Sequence, residues 1–218
     1  MSRRVRLAVG DDDRLVYKLA SLLLCYPTAR LWELLTDIRA AADGISEREA
    51  ADALRRTAEW LTDQRPAAAE RHYVEVFDLT RRASPYLTYY RYGDTRQRGM
   101  ALLALKHTYR AAGFTPAGTE LPDYLPAVLE FAALTGEPGF RLLQTHRAGL
   151  ELLRLALHDA ASPYAAVLDA VSATLPALSS RQAADVRRLV ADGPPAEDVG
   201  LDPVGTAPFA PPEMLGGR

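Results

Sequence analysis

Residues 71–131 read RHYVEVFDLTRRASPYLTYYRYGDTRQRGMALLALKHTYRAAGFTPAGTELPDYLPAVLEF, and the punctuation of this stretch decides the fold. Tyr73, Val76 and Phe77 sit at helical spacing and mark one apolar helix face. The connector from Ala83 to Tyr92 contains Pro85 and almost no periodicity, so it joins helices and is not one. Asp94 or Thr95 then caps a helix that carries Leu102, Leu105 and Tyr109 and stops at Gly113. After a loop holding Pro116, Gly118 and Pro122, Asp123 is expected to cap a further helix bearing Leu125, Val128 and Leu129, with Pro126 tolerated in its first turn. Nothing in the stretch alternates with the period of a strand.

The same signals extend in both directions. Leu15, Leu19, Leu22 and Tyr26 predict a first helix from Asp11, its acidic start favoured by the helix dipole and its end enforced by Pro27. Leu31, Leu34, Leu35 and Ile38 predict a second over 29–42. Ser46 with Glu49 has capping-box form for a third that runs through Trp60 and Leu61, and Pro66 suits the first position of a fourth. Beyond Glu137-Pro138-Gly139, the steps of three and four through Leu143, His146, Leu150, Leu153 and Leu157 predict one long helix. Pro163 opens a short helix to Leu175, and a last one covers 181–190. The expected architecture is all-α: a single globular domain of about eight or nine helices over residues 11–192, without a sheet. Residues 1–10 are expected to be flexible, and the Pro/Gly-rich residues 193–218 disordered or loosely packed.

Composition narrows the function. A chain of 218 residues, 48% hydrophobic and 25% charged, can bury a core. Its formal net charge of -2 supplies no general field for nucleic acid. Cys25 is the only cysteine, which excludes an intrachain disulfide and any multi-cysteine zinc site. No apolar run approaches the roughly 20 residues of a membrane span, so the expectation is a cytoplasmic protein without direct membrane insertion.

No familiar catalytic arrangement is present. Gly-rich phosphate loops are missing, and His72, His107, His146 and His158 stand apart without metal-site spacing. Cys25 follows three leucines and reads as a small buried hydrophobe. What stands out instead is tyrosine: five of the chain's ten fall between Tyr73 and Tyr92. Tyr joins a large apolar ring to a polar tip, which suits a surface that grips a polypeptide, although such rings also simply pack loops onto a core. Arg81, Arg82, Arg91, Arg96 and Arg98 surround the connector, while Glu120 and Asp123 flank the following turn. Brought together, these would form an aromatic groove with ionic rims for an amphipathic helix. A helical transcription regulator with a ligand pocket is the alternative, because ISEREAADALRRTAEWL suggests a helix-turn-helix. The acids Glu47, Glu49, Asp52, Glu59 and Asp63 interrupt the basic face that such a reader needs.

The runs YLTYYRYGDTRQRGMALLAL and ELPDYLPAVLEFAAL resemble the NarJ group of nitrate reductase assembly chaperones, within the wider TorD/DmsD/NarJ family of redox-enzyme maturation proteins. The likeness extends from the first helix to about Leu189. The family's aromatic-x-x-Leu-Phe pattern is matched by Tyr73, Val76 and Phe77, with Val in place of Leu. Its Glu-Pro-x-Asp-His turn is matched by Glu120, Pro122 and Asp123, with the proline displaced by one position and Tyr124 where the family has His. The resemblance implies a chaperone and not an enzyme, with no cofactor of its own. It implies that the chain binds the N-terminal segment of the apo nitrate reductase alpha subunit within the alpha-beta complex, keeps it competent for molybdenum cofactor insertion, and deals with molybdenum cofactor delivery proteins. The residues expected to line or support the client groove are Tyr73, Val76, Phe77, Tyr86, Tyr89, Tyr90, Tyr92, Arg96, Glu120, Asp123 and Tyr124.

Overall fold

The computed structural model describes residues 9–115 and 120–195. Among them the backbone forms eleven α-helices and no strand: α1 Asp11–Leu23, α2 Ala29–Ala42, α3 Arg48–Asp63, α4 Pro66–Tyr73, α5 Tyr89–Tyr92, α6 Arg96–Ala111, α7 Leu125–Thr135, α8 Glu137–Thr145, α9 Arg147–Asp159, α10 Tyr164–Thr174 and α11 Ser180–Asp192. The fold is all-α, as the periodicities predict. The predicted loop residues Pro116 and Gly118, and most of the two predicted terminal segments, lie outside the described residues. Among the described residues no helix is long and apolar enough to cross a membrane.

Helix α1 is the centre of the assembly, packing on α7 along one side and on α10, α2 and α3 along the other. Its charged flank also serves this packing: Arg14 Nε donates to the Ala133 carbonyl at 2.8 Å, and Lys18 pairs with Glu130 at 2.7 Å. The first of these contacts places a cation on the exposed carbonyl end of α7, where the helix dipole is negative. Helix α3 turns Ala50, Ala53, Leu54, Thr57, Ala58 and Leu61 inward, and this mostly small-residue face lets α2 and α10 approach closely. The stretch offered as a helix-turn-helix is thus mostly one uninterrupted helix, with no turn between Arg48 and Asp63. Helix α9 bridges α10 and α11. Between α9 and α10, Arg147 and Arg154 share Glu151 at 3.3 and 2.6 Å, and Arg154 reaches Asp169 at 2.8 Å. The hydrogen bonds from Arg154, helped by Arg147 and opposed by burial, hold the Glu151 carboxyl below its usual range.

Several boundaries differ from the sequence reading for identifiable reasons. Ser46 does not cap α3; its N–H instead donates to Asp12 Oδ2 at 3.0 Å, and Glu47 takes the cap position. The long helix predicted after Pro138 is two, because the backbone of His146 rotates to φ -100 and ψ 17 and bends the path between α8 and α9. Before that bend, α8 must cross α7 closely: a Cβ on Gly139 would lie 2.2 Å from the Ala132 Cα, so only glycine fits. Asp123 does not cap α7 either. Tyr124 occupies that position, and the Asp123 carboxylate turns to the connector. A capping box that the sequence reading did not single out, Ser179 with Gln182, starts α11.

Candidate functional site

The candidate residues assemble around two chain segments that meet once. Among the described residues one isolated bridge forms, and it pairs Tyr86 with Tyr124 in antiparallel fashion. Leu87 N–H donates to the Asp123 carbonyl at 3.0 Å, and Leu125 N–H donates to the Pro85 carbonyl at 2.8 Å. The connector is therefore zipped to the entry of α7 although the two are far apart in sequence. Side chains reinforce the zip. Asp123 is fully buried, and its Oδ2 accepts from the Thr88 N–H at 3.1 Å and from the Thr88 hydroxyl at 2.5 Å. Arg98, reaching back from α6, lies 3.6 Å from the same oxygen and donates to the Thr88 hydroxyl at 3.3 Å. Its guanidinium also stands 5.7 Å from the Tyr86 ring centre and 5.9 Å from that of Tyr89, within cation–π range. Among the described residues, Asp123 Oδ1 has no hydrogen-bond partner.

The aromatic-x-x-Val-Phe pattern lies below this zip. Helix α4 passes at Val74–Asp78 into a π-turn, closed by Leu79 N–H to the Val74 carbonyl at 3.0 Å. The wide turn carries Val76 and Phe77 into the core while Leu79 emerges 74% exposed. Such turns inside helices are frequent at functional sites. The Tyr73 ring is buried against Phe77, with centres 4.6 Å apart, and Tyr164 packs edge-on to it.

A continuous seam of rings reaches the surface from here. Tyr26, 42% exposed, meets Tyr73 edge-on at 5.4 Å. The hydroxyls of Tyr73 and Tyr124 are 2.9 Å apart, the Tyr124 ring lies 5.7 Å from that of Tyr86, and the Tyr86 hydroxyl donates to Glu120 at 3.2 Å. Because Tyr73 donates to the Leu24 carbonyl at 3.2 Å, the proton between the two tyrosines comes from Tyr124. Burial, with Glu120 second, pushes the Tyr86 hydroxyl up to about 12. Burial likewise raises Tyr73, assisted by Tyr124, and burial raises Tyr124. Burial and then Glu130 raise the Cys25 thiol to about 11, so the neighbouring sulfur is a protonated, weak nucleophile. The seam consists of neutral hydrogen-bonding rings. Among the described residues no group of His, Cys, Asp and Glu could hold a metal ion.

The remaining candidates fall elsewhere. Tyr90 is buried, its hydroxyl shared between the carbonyls of Arg82 and Ser84 at 3.0 and 2.8 Å, and it supports the connector from below. Tyr89 is half-buried beside Arg98. Tyr92 lies under Arg91 and lines a separate cleft, and Arg96 is exposed on the first turn of α6. Sequence reasoning left Thr88, Tyr26 and Tyr109 off the site. Thr88 carries no local signal at all, whereas Tyr109 donates to the Pro122 carbonyl at 2.6 Å and could have been found by asking what anchors the turn. Arg98 belonged to the arginine cluster noted in the sequence but not to the chosen site residues.

The fold and the site together define an all-helical scaffold that carries a seam of neutral rings, most of them hydrogen-bonded. The solved fold of a protein assigned as a redox enzyme maturation protein, from Archaeoglobus fulgidus, superposes with a TM-score of 0.55 over 78% of this chain and 96% of that one, at 22% identity. Residues 44–170 match the nitrate reductase delta subunit family, and the chain belongs to that family. It is 33% identical over 175 residues to a Bacillus subtilis protein assigned as the nitrate reductase molybdenum cofactor assembly chaperone NarJ, covering 80% of this chain and 95% of the relative. It is also 44% identical over 166 residues to the nitrate reductase-like protein NarX of Mycobacterium tuberculosis, covering 76% of this chain but only 25% of NarX. The chain therefore spans about a quarter of the length of NarX.

Proposed function

We propose that this protein is a cytoplasmic, system-specific chaperone that binds the N-terminal segment of a respiratory nitrate reductase alpha subunit. It holds the apo-subunit, in complex with beta, competent for molybdenum cofactor insertion and delays membrane assembly. Molybdenum cofactor delivery proteins are further partners in this reading. The observation that supports it most is the unbroken seam from Tyr26 through Tyr73 and Tyr124 to Tyr86, rimmed by Glu120 and Arg98. Tyr26, Tyr86 and Tyr124 supply the apolar surface a client helix would cover, and the buried Tyr73, Val76, Phe77, Tyr90 and Asp123 hold that surface in place. A small apolar pocket of 220 Å³ between α6 and α7, lined by Tyr109, Phe114, Phe131 and Leu134, offers an anchor site for one client side chain.

The expected affinity follows from opposing terms. Three or four Leu-sized anchors contribute roughly 1.5–3 kcal/mol each, and ordering the peptide costs about 2–5 kcal/mol. Towards the upper end of these ranges the balance is a dissociation constant of about micromolar or somewhat tighter, which permits release once the client folds. Calorimetric titration of the full chain with synthetic peptides from the N-terminus of a nitrate reductase alpha subunit tests this. Binding in that range, weakened about tenfold or more by Tyr86→Ala, is the expected result. Failure of every peptide to bind, or wild-type affinity in both Tyr86→Ala and Tyr124→Ala, rejects the assignment.

A further inference from the structure

Beside Tyr90 lies a cleft of about 610 Å³, walled by α5, the first turn of α6, the α8–α9 bend and α11. Helix α11 is fastened to the facing walls at both ends. Near its start, Gln182 Nε2 donates to the Gln144 carbonyl at 3.2 Å. Past its end, Gly193 turns the backbone with a φ of 76, and the carbonyl of Pro195 abuts Gly93. A Cβ at Gly93 would lie 1.6 Å from that oxygen, so only glycine permits the approach, and the φ of 55 at Gly93 is a second reason. The cleft is built into the fold, and a ligand entering it has little wall to order.

Leu87, Tyr90, Ala148 and Leu189 give the cleft an apolar floor, and Arg91, Arg181 and Arg188 stand around it. All three arginines are exposed. Among the described residues neither Arg91 nor Arg181 pairs with a carboxylate, and Arg188 reaches only Asp185, at 3.9 Å. Three cations against one lining acid leave a local excess of positive charge in a chain whose formal net charge is -2. The spacing of the cations selects among anions. Arg181 and Arg188 are seven residues apart on α11, about 10 Å along the axis at roughly 1.5 Å per residue. No single phosphate or carboxylate group spans that distance. An extended peptide, rising about 3.3 Å per residue, brings two carboxylates to the same separation when they stand about three residues apart, and an apolar side chain between them meets the floor.

We infer that the cleft beside α11 is a docking site for an extended acidic segment of a partner protein, one that carries two carboxylates about three residues apart with an apolar residue between them. Arg181 and Arg188 take the carboxylates, Arg91 adds to the field from the opposite wall, and the floor takes the apolar side chain. This is a second interaction surface, formed by residues other than those of the seam from Tyr26 to Tyr86, and it does not depend on the nitrate reductase reading.

Fluorescence anisotropy of the full chain with a labelled peptide Gly-Ser-Glu-Leu-Gly-Glu-Ser-Gly tests it. Saturable binding is expected at low salt, weakening as salt screens the ion pairs. The same peptide with Gln for both Glu should bind about tenfold or more weaker. Arg181→Glu and Arg188→Glu should each weaken the Glu peptide about tenfold, and the double variant should instead take up the peptide with Lys for both Glu, which also shows that it is folded. Arg56→Glu makes the same charge change on α3, at an exposed residue that does not line the cleft, and should leave binding unchanged. Absence of saturable binding to the wild type, equal affinity for the Gln peptide, or equal loss in Arg56→Glu and Arg181→Glu overturns the inference. So does displacement of the peptide by an equal concentration of inorganic phosphate or oligouridylate, which would make the cleft a site for small anions or nucleic acid.

Discussion

At the scale of the residue, the informative pair is Tyr73 and Tyr124. Two tyrosines whose hydroxyls touch form a relay with a fixed direction, because the Leu24 carbonyl at its end can only accept. Removing the outer hydroxyl by Tyr124→Phe takes away one donor and leaves Tyr73 bonded to Leu24, so it should cost about 0.5–1.5 kcal/mol. Tyr73→Phe breaks both bonds and leaves the buried Leu24 carbonyl and the Tyr124 hydroxyl without this partner, so its cost should be larger, about 1–3 kcal/mol. Urea unfolding of the two variants gives the order directly, and an equal or reversed order would mean the relay does not hold the seam. Tyr124 stands where the family resemblance implies a histidine. With both hydroxyls raised above their ordinary range by burial, neither tyrosine changes charge between pH 6 and 8. This position therefore supplies hydrogen bonding and ring surface.

At the scale of the element, the bend at His146 decides how α8 and α9 share the core. Burial, with Arg91 adding to it and Asp123 opposing, lowers the His146 pKa to about 4. A histidine depressed below its unfolded value of about 6.5 leaves the unfolded chain binding more protons between those limits, so stability rises with pH across that window and falls on acidification. His146→Gln should flatten the part of the stability profile between pH about 6.5 and about 4 that belongs to this residue, as measured by urea midpoints against the wild type. A variant profile parallel to the wild type would place the titration elsewhere. The periodicity of Leu143, His146, Leu150, Leu153 and Leu157 made the helical character of this region legible. It did not reveal the bend, because steps of three and four read the same in one helix or in two joined at a residue that keeps its neighbours' hydrogen bonds: His146 N–H still reaches the Leu142 carbonyl and Leu150 N–H the His146 carbonyl. Ser46 and Asp123 read as caps in the sequence, and the structure differs for the opposite reason. Each is well placed for a local bond, but Ser46 gives its N–H to Asp12 and Asp123 gives its carboxylate to Thr88, and no sequence signal announces partners 34 and 35 residues away.

At the scale of the whole molecule, the chain divides into a helical core around α1, α3 and α10 and a connector fastened to it by a small number of polar ties. The candidate seam was legible in the sequence as tyrosine density and a turn motif, and its contiguity was not, since that depends on the bridge between Tyr86 and Tyr124. Asp123 is the central tie. Thr88 is fully buried, and both its N–H and its hydroxyl end on one oxygen of Asp123. Asp123→Ala would leave two buried donors without that acceptor, at about 1–3 kcal/mol each, whereas Asp123→Asn retains an oxygen for Thr88 and loses the charge facing Arg98. If the connector opens as its own unit, hydrogen exchange in Asp123→Ala should accelerate at least tenfold at the Leu87, Thr88 and Leu125 amides, less in Asp123→Asn, and least at Leu54 and Leu61 in α3. The same variant should bind the client peptide more weakly while keeping its helical circular dichroism, because the seam loses its support and the core does not. Equal acceleration in the connector and in α3 would mean that the two unfold together, and the seam would then be part of the core and not an adjustable surface laid upon it.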